Sequence, residues 1–271
     1  MNTARLYQSK LTIEKSILSF MQRNSPSYPC YQHGRNLHHS VALQVSATNS
    51  VWKGSSTVTS NQWKERQKRD RYVKYAQHHN YRCRSAFKLI EIDDKHEFLS
   101  PGSVVIDCGA APGSWSQVAV QRVNSNATDA SKPVGKVLAV DRLHFASVPG
   151  ATILSGKDFT LSSTQNELRG LMDGGKAHAV ISDMAPNATG VRTLDHEQII
   201  ELQLTALKFS VEVLRKNGHF LCKIWQGSEV KRLEQILAKF FQNVHVIKPP
   251  ASRSDSAEVF LLAKKFFGKK P

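Results

Sequence analysis

Short apolar runs recur along this chain at 104–108, 136–141, 151–155, 178–183, 219–225, 244–248 and 258–266. Runs of that length, bounded by turn residues, predict seven strands. Between most of them the apolar residues return at helical spacing, most clearly over 195–216 and 228–241. The same spacing precedes the first strand over 85–98, carried by Phe87, Leu89, Ile90 and Ile92. Asn217-Gly218 is expected to stop the 195–216 helix. Strands alternating with helices predict an α/β fold, a mostly parallel sheet with helices on both faces. The last two strands are joined only by Pro249 to Ala257. That connection is too short for a helical crossover, so the last strand is expected to pair antiparallel. Residues 124–132 are a polar surface loop, and no internal repeat is present.

The first strand runs into the most informative stretch, V-V-I-D-C-G-A-A-P-G-S-W at 104–115. It reads as a buried strand, a tight turn and a helix N-terminus, a place where a ligand can approach the backbone and meet free N–H groups. It lacks the G-x-G-x-x-G spacing of a dinucleotide site. Pro112 stiffens the turn. These features predict a nucleoside-like cofactor without a pyrophosphate, with S-adenosyl-L-methionine the leading candidate. Three more acids close later strands: Asp141 in V-L-A-V-D, Asp158 in G-K-D-F with Phe159 beside it, and Asp183 in V-I-S-D-M-A-P-N. A carboxylate at Asp141 can accept both ribose hydroxyls, and one at Asp158 can accept from an adenine amine. Any one of these acids taken alone reads as a turn or helix N-cap residue. With Asp107 they make four at successive strand ends, which favours a site.

The formal charge of +15 adds an anionic partner to this picture, with nucleic acid foremost. Residues 63–79 are basic with Trp63, Tyr72 and Tyr75 interleaved, and Tyr81, Arg82 and Arg84 follow. This segment is expected to clamp phosphates and stack bases; a solvated basic helix is the alternative. Arg192 and Arg253 lie close in sequence to the candidate site. Residues 1–62 hold six basic residues and a single acid, Glu14, among many serines. That composition predicts a mitochondrial transit peptide, against the alternative of a basic tail that touches RNA, and puts the folded domain at 63–271. No stretch approaches the roughly 20 apolar residues of a membrane span. The cysteines Cys30, Cys83, Cys108 and Cys222 have no metal-ligand or redox spacing, so neither a metal nor a disulfide framework is expected.

Lys223 lies in F-L-C-K-I-W, an otherwise apolar strand, where a lysine is costly unless it serves a site. Lys88 alone reads as a surface helix lysine, and Glu258 alone as an acid at a strand edge. Five segments together resemble the FtsJ/RrmJ family of ribosomal RNA 2′-O-methyltransferases. They are Y-R-C-R-S-A-F-K-L at 81–89, D-C-G-A-A-P-G-S-W-S-Q at 107–117, S-D-M-A-P-N-A-T-G at 182–190, F-L-C-K-I-W-Q-G at 220–227 and K-P-P-A-S-R-S-D-S-A-E-V-F at 248–260. The likeness is greatest to the family's mitochondrial branch, which methylates an rRNA uridine. It implies a Rossmann-like class I fold with seven strands, and S-adenosyl-L-methionine as methyl donor. It also implies a Lys88–Asp183–Lys223–Glu258 tetrad for methyl transfer. Cofactor contacts are implied at Gly109, Pro112, Gly113, Ser114, Trp115, Asp141, Asp158, Phe159 and Asp183. Ser114 departs from the glycine of bacterial members but stays small. The implied partner is mitochondrial large-subunit rRNA in the assembling subunit, met by a monomer in the matrix. A lysine acting as base must first give up its proton; burial and a second ammonium favour this, and carboxylates oppose it. The competing class is an RNA-binding assembly factor whose catalysis is dispensable. A nicotinamide enzyme is disfavoured by the missing glycine spacing, and a small-molecule methyltransferase leaves the charge unexplained.

Overall fold

Each of the seven apolar runs forms a strand: β1 (Val104–Cys108), β2 (Lys136–Asp141), β3 (Ala151–Ser155), β4 (Ala177–Ser182), β5 (Leu214–Trp225), β6 (Phe241–Ile247) and β7 (Glu258–Phe266). The structure, a computed structural model, describes residues 60–268 apart from Asp173, Ala188 and Ser228. The expected leader, but for its last three residues, lies outside them. The strands form one sheet in the order β3-β2-β1-β4-β5-β7-β6. Pairing is parallel from β3 through β5. It is antiparallel where β7 lies between β5 and β6.

Seven helices accompany the strands among the described residues: α1 (Ser60–Arg69), α2 (Arg71–His78), α3 (Ala86–His96), α4 (Ser114–Val123), α5 (Ser162–Gly170), α6 (Arg192–Val213) and α7 (Glu229–Leu237). They cover both faces because the strands are apolar on both. Val105, Val137, Ala179, Ile181, Leu221, Phe260 and Leu262 pack with Leu89 and Ile92 of α3 and Trp115 and Val118 of α4. Ile106, Leu138, Val180, Cys222, Ile224 and Leu261 face the other way, against Leu168 of α5, Leu204 and Phe209 of α6 and Leu233 of α7. The two-residue alternation of a strand divides one apolar run between two cores.

The structure shifts two boundaries. Helix α6 ends at Val213, four residues before Asn217-Gly218, because Leu214 is already extended and pairs with Ala177 of β4. The register then slips, and His219 pairs with Ala179. Asn217, at φ 65°, sits in this bulge, where an Asn tolerates the left-handed region, so the dipeptide shapes a strand irregularity rather than a helix stop. The expected 228–241 helix likewise gives way at Leu237, and β6 begins at Phe241, which is buried against Phe266. The basic segment 63–79 is two helices, broken at Asp70. Its carboxylate Oδ1 accepts from Tyr72 N at 3.0 Å and caps α2.

Just past the bulge in β5, burial pushes the His219 imidazole down to about 4, with Lys264, His178, Arg215 and Lys265 adding to the effect. An unfolded histidine binds a proton near pH 6.5, and this one does not until about pH 4. Its contribution to stability is therefore complete above about 6.5 and is lost as pH falls toward 4. His219→Leu is expected to gain roughly 1–3 kcal/mol relative to the parent chain between pH 7 and pH 4.5. Urea unfolding of both proteins across that range measures the difference, and a constant difference contradicts the assignment.

Candidate active site

The same alternation that builds the core places four charged residues together at one edge of the sheet. On the α3–α4 face, Asp107 is two residues past Val105, Asp183 two past Ile181, and Lys223 two past Leu221. Each lies at or just beyond the carboxyl end of its strand's buried run. Glu258 lies two residues before Phe260, and β7 is antiparallel, so its first residue comes to the edge where β4 and β5 end. Phe260 pairs with Lys223, which fixes Glu258 diagonally across from the lysine on the same face. Lys88 reaches down from α3, its Nζ 5.8 Å from the Phe260 ring centroid.

Two ion pairs result, each with one buried and one half-buried member. Lys223 Nζ lies 2.9 Å from Asp183 Oδ1 and donates to the Asp183 backbone oxygen at 2.6 Å. Lys88 Nζ lies 2.7 Å from Glu258 Oε1 and donates to Oε2 at 2.8 Å. Lys223 is 8% exposed and Glu258 9%. A buried charge of this kind is tolerated only when paired. Each carboxylate also accepts from a serine hydroxyl, Ser85 to Asp183 Oδ2 and Ser252 to Glu258 Oε1, both at 2.9 Å. Burial works to raise the Asp183 carboxyl. The Lys223 and Lys88 ammoniums, with hydrogen bonds from Lys223 and Ser85, outweigh it and hold the group below its ordinary value. Lys88 therefore acts on Asp183 across the gap between the pairs. The sequence left both serines unassigned: Ser85 reads as the N-cap of α3, and Ser252 has no local signal in its Ser/Arg-rich loop.

A cleft of about 860 Å³ opens beside the tetrad at the switch point between β1 and β4. Asp141, Leu143, Asp158, Phe159, Asp183 and Met184 are among its walls. Gly109 stands at φ 79°, and a Cβ there would come within 2.4 Å of Met184 Cγ. Only glycine leaves the floor of the cleft open. Asp141 is held by the turn itself: Oδ2 accepts from Ala111 N at 2.9 Å and Oδ1 from Leu143 N at 2.7 Å. Asp158 Oδ1 accepts from the hydroxyl and N–H of Thr160, which hold its carboxyl below the ordinary value. The turn-residue role thus coexists with the cleft position at both acids. Pro112, Gly113, Ser114 and Trp115 are not among the cleft walls. They brace the turn from behind. Pro112 O accepts from Arg82, Ser114 Oγ accepts from Cys83 Sγ, and Trp115 Nε1 donates to Ser85 O.

On the other side of the tetrad lies a second cleft, of about 920 Å³, between α1–α2 and the loop before β7. Arg66, Arg69, Arg71, Arg84 and Arg253 line it, and so does Ser252. Three residues expected to meet the nucleic acid, Arg82 and Arg84 at phosphates and Tyr72 at a base, are committed elsewhere. Arg82 donates to the carbonyls of Pro112, Ala146 and Ser147. Arg84 lies 3.1 Å from Asp70 and donates to Ala251 O. Tyr72 is buried and donates to Glu91 Oε1 at 2.7 Å. Sequence spacing shows that such residues are basic or aromatic, not that the fold uses them internally. Arg69, Lys74 and Tyr75 remain exposed. The side chains of Trp63 and Arg192 lie outside the described residues.

Residues 81–266 match the FtsJ-like methyltransferase family. The chain is 50% identical over 216 residues to mitochondrial rRNA methyltransferase 2 of Drosophila melanogaster, an alignment that takes in 80% of this chain and 86% of that one. It is 44% identical over 230 residues to ribosomal RNA large subunit methyltransferase E of Parvibaculum lavamentivorans, covering 84% and 89%. The crystal structure of a ribosomal RNA methyltransferase from Plasmodium falciparum superposes with a TM-score of 0.61 at 27% identity, over 69% of this chain and 100% of that one.

Beneath the turn, Asp107 is fully buried, and its hydrogen bond from Ser116 at 2.7 Å does not offset that burial. The carboxyl is pushed up to about 7, with Asp183 and Asp141 adding to the rise. A raised folded value means stability that is complete below about pH 4 and is lost as pH climbs through 7. Asp107→Asn keeps an acceptor for Ser116 and carries no charge to bury. It is expected to match the parent near pH 4 and to exceed it by up to about 4 kcal/mol above pH 7. Denaturant unfolding at the two pH values tests this, and equal differences at both contradict it.

Proposed function

The chain belongs to the FtsJ-like methyltransferase family, and from that premise we propose that it transfers a methyl group from S-adenosyl-L-methionine to the ribose 2′-oxygen of a uridine in mitochondrial large-subunit rRNA. In this reading it acts as a monomer in the matrix, on the assembling large subunit, after loss of a leader ending near residue 62. The observation that carries the reaction is the pair of ion pairs at the mouth of the cleft, Asp183–Lys223 and Glu258–Lys88. The names of the relatives, one mitochondrial and one acting on the large subunit, support the substrate and the compartment.

The cleft residues fit the proposed methyl donor. Asp141, Asp158 and Asp183 give the walls negative charge, while Phe159 and Met184 supply apolar surface. Such walls favour a nucleoside bearing a cation and repel a pyrophosphate. When bound, S-adenosyl-L-methionine supplies an electrophilic methyl on a cationic sulfonium. Asp141, with both oxygens oriented by backbone N–H groups, is placed to accept ribose hydroxyls, and Asp158 keeps Oδ2 for an amine.

Ribose 2′-OH is a weak nucleophile, so the chain must align it and remove its proton. Lys223 is the base in this reading. Its Nζ donates to the Asp183 backbone oxygen and pairs with Oδ1 at 2.9 Å. Lys223 first releases one proton to solvent, and the lone pair so exposed accepts the proton of the hydroxyl, while the contacts with Asp183 hold the nitrogen still. Lys88 and Glu258 balance each other, and Lys88 also tempers the negative charge of Asp183. The arginine cleft, with exposed Arg69 in its wall, is the surface proposed for the flanking phosphates.

Lys223→Ala is expected to bind S-adenosyl-L-methionine within about threefold of the parent and to lose ~10²–10⁴ in kcat, the range of a general base. Calorimetric titration of the cofactor and methyl incorporation into a large-subunit rRNA transcript measure the two quantities. Turnover near that of the parent removes Lys223 from the role of base.

A further inference from the structure

Ser85 stands at the N-cap position of α3, where a serine ordinarily accepts from its own helix's first free N–H groups. It does not do so. Its backbone is helical, at φ −60° and ψ −24°, and its side chain makes no capping hydrogen bond. The hydroxyl instead donates across 98 residues of sequence to Asp183 Oδ2 at 2.9 Å. The N–H groups of Ala86, Phe87 and Lys88 already donate to the carbonyls of Cys83, Arg84 and Ser85, so the helix start does not use the Ser85 hydroxyl, which serves a carboxylate at the reaction centre instead. The same residue's carbonyl accepts from Trp115 Nε1 at 2.9 Å, which ties it to the first turn of α4 directly after the Gly109–Gly113 turn. The other carboxylate of the tetrad has a counterpart: Ser252 Oγ donates to Glu258 Oε1 at 2.9 Å from the β6–β7 loop.

We propose that Ser85 is a positioning residue for methyl transfer: its hydroxyl fixes the rotation of the Asp183 carboxylate, so that Oδ1 meets Lys223 while Oδ2 is occupied. Ser252 does the same for Glu258 against Lys88. The inference rests on Lys223 being the base. A carboxylate bound on one side by a hydroxyl offers a defined oxygen to the lysine, and less of its charge, than one free to turn. Without the hydroxyl, the Asp183 carboxylate is free to turn and presents its full charge to the Lys223 ammonium. The consequence falls on the step that removes the 2′-hydroxyl proton and not on cofactor or RNA binding. Substitution by alanine keeps the Ser85 backbone carbonyl, so the bond from Trp115 and the turn behind it are retained.

The test compares the full chain with Ser85→Ala, using S-adenosyl-L-methionine and a large-subunit rRNA transcript. Ser85→Ala is expected to lower kcat about 10- to 100-fold, the worth of a hydrogen bond to a charged group. The KM for RNA and the cofactor dissociation constant are expected to stay within about twofold. The ascending limb of the pH–rate profile is expected to move to higher pH, which a merely structural loss does not cause. Ser252→Ala is expected to lower kcat as well, with its RNA KM again unchanged. An unaltered kcat and pH profile in Ser85→Ala overturns the proposal, and so does a loss confined to cofactor binding. An inactive parent chain instead contradicts the methyl-transfer reading on which it rests. Cofactor titration of each variant shows that it is folded.

Discussion

Sheet register is the constraint on which the rest depends. Ser182 pairs with Cys222 and Lys223 with Phe260, and strand alternation then sends Asp183, Lys223 and Glu258 out of one face at one edge. A one-residue slip of β7 would turn Glu258 into the opposite core, where Ile224 and Leu261 lie. The antiparallel direction of β7 matters equally. In a parallel strand the first residue would fall at the far edge of the sheet. Here it lands beside the ends of β4 and β5, next to the cleft at the switch point. Once those backbones are set, the charges have no cheaper arrangement than two ion pairs, since a buried member of either pair left alone costs several kcal/mol.

The two clefts that flank this edge differ in charge for reasons tied to what each is proposed to hold. Asp141, Asp158, Asp183 and Glu201 outnumber Arg142 in the cleft beside β1 and β2, and five arginines outnumber Glu65, Asp70 and Asp255 in the one against α1 and α2. The tetrad lies between a site suited to a cation and one suited to phosphates. Much of the basic surplus is nonetheless structural. Arg82 bridges the turn at Pro112 and the loop at Ala146 and Ser147. Arg84 and Arg253 converge on Asp70, the residue that caps α2. Net charge thus points to a partner class and says little about which arginines meet it.

Periodicity in the sequence carried the sheet, its strand count and the reversal of its last strand, because alternation and loop length are local properties. It misjudged the end of α6. The pairing of Leu214 with Ala177 is a tertiary event, and Asn217-Gly218 looks the same in a strand bulge as in a helix stop. In the site, Asp141, Asp158 and Asp183 were legible as acids ending strands, and Lys223 as a cation inside an apolar run. Lys88 and Glu258 were not; each is ordinary in its own segment, and they meet across 170 residues of chain. Family resemblance supplied them, and the register now gives the physical reason. Ser85 escaped both routes, since its local pattern advertises a helix cap that the fold does not use.

A site that serves transfer to a ribose 2′-oxygen leaves the methyl group on the sugar and not on a base. The full chain is incubated with S-adenosyl-L-methionine labelled in its methyl group and mitochondrial large-subunit rRNA, and the RNA is then hydrolysed in alkali. A 2′-O-methyl group blocks cleavage at its own nucleotide, so label is expected in an alkali-resistant dinucleotide that begins with uridine. Label in mononucleotides, marking a methylated base, would contradict transfer to the ribose.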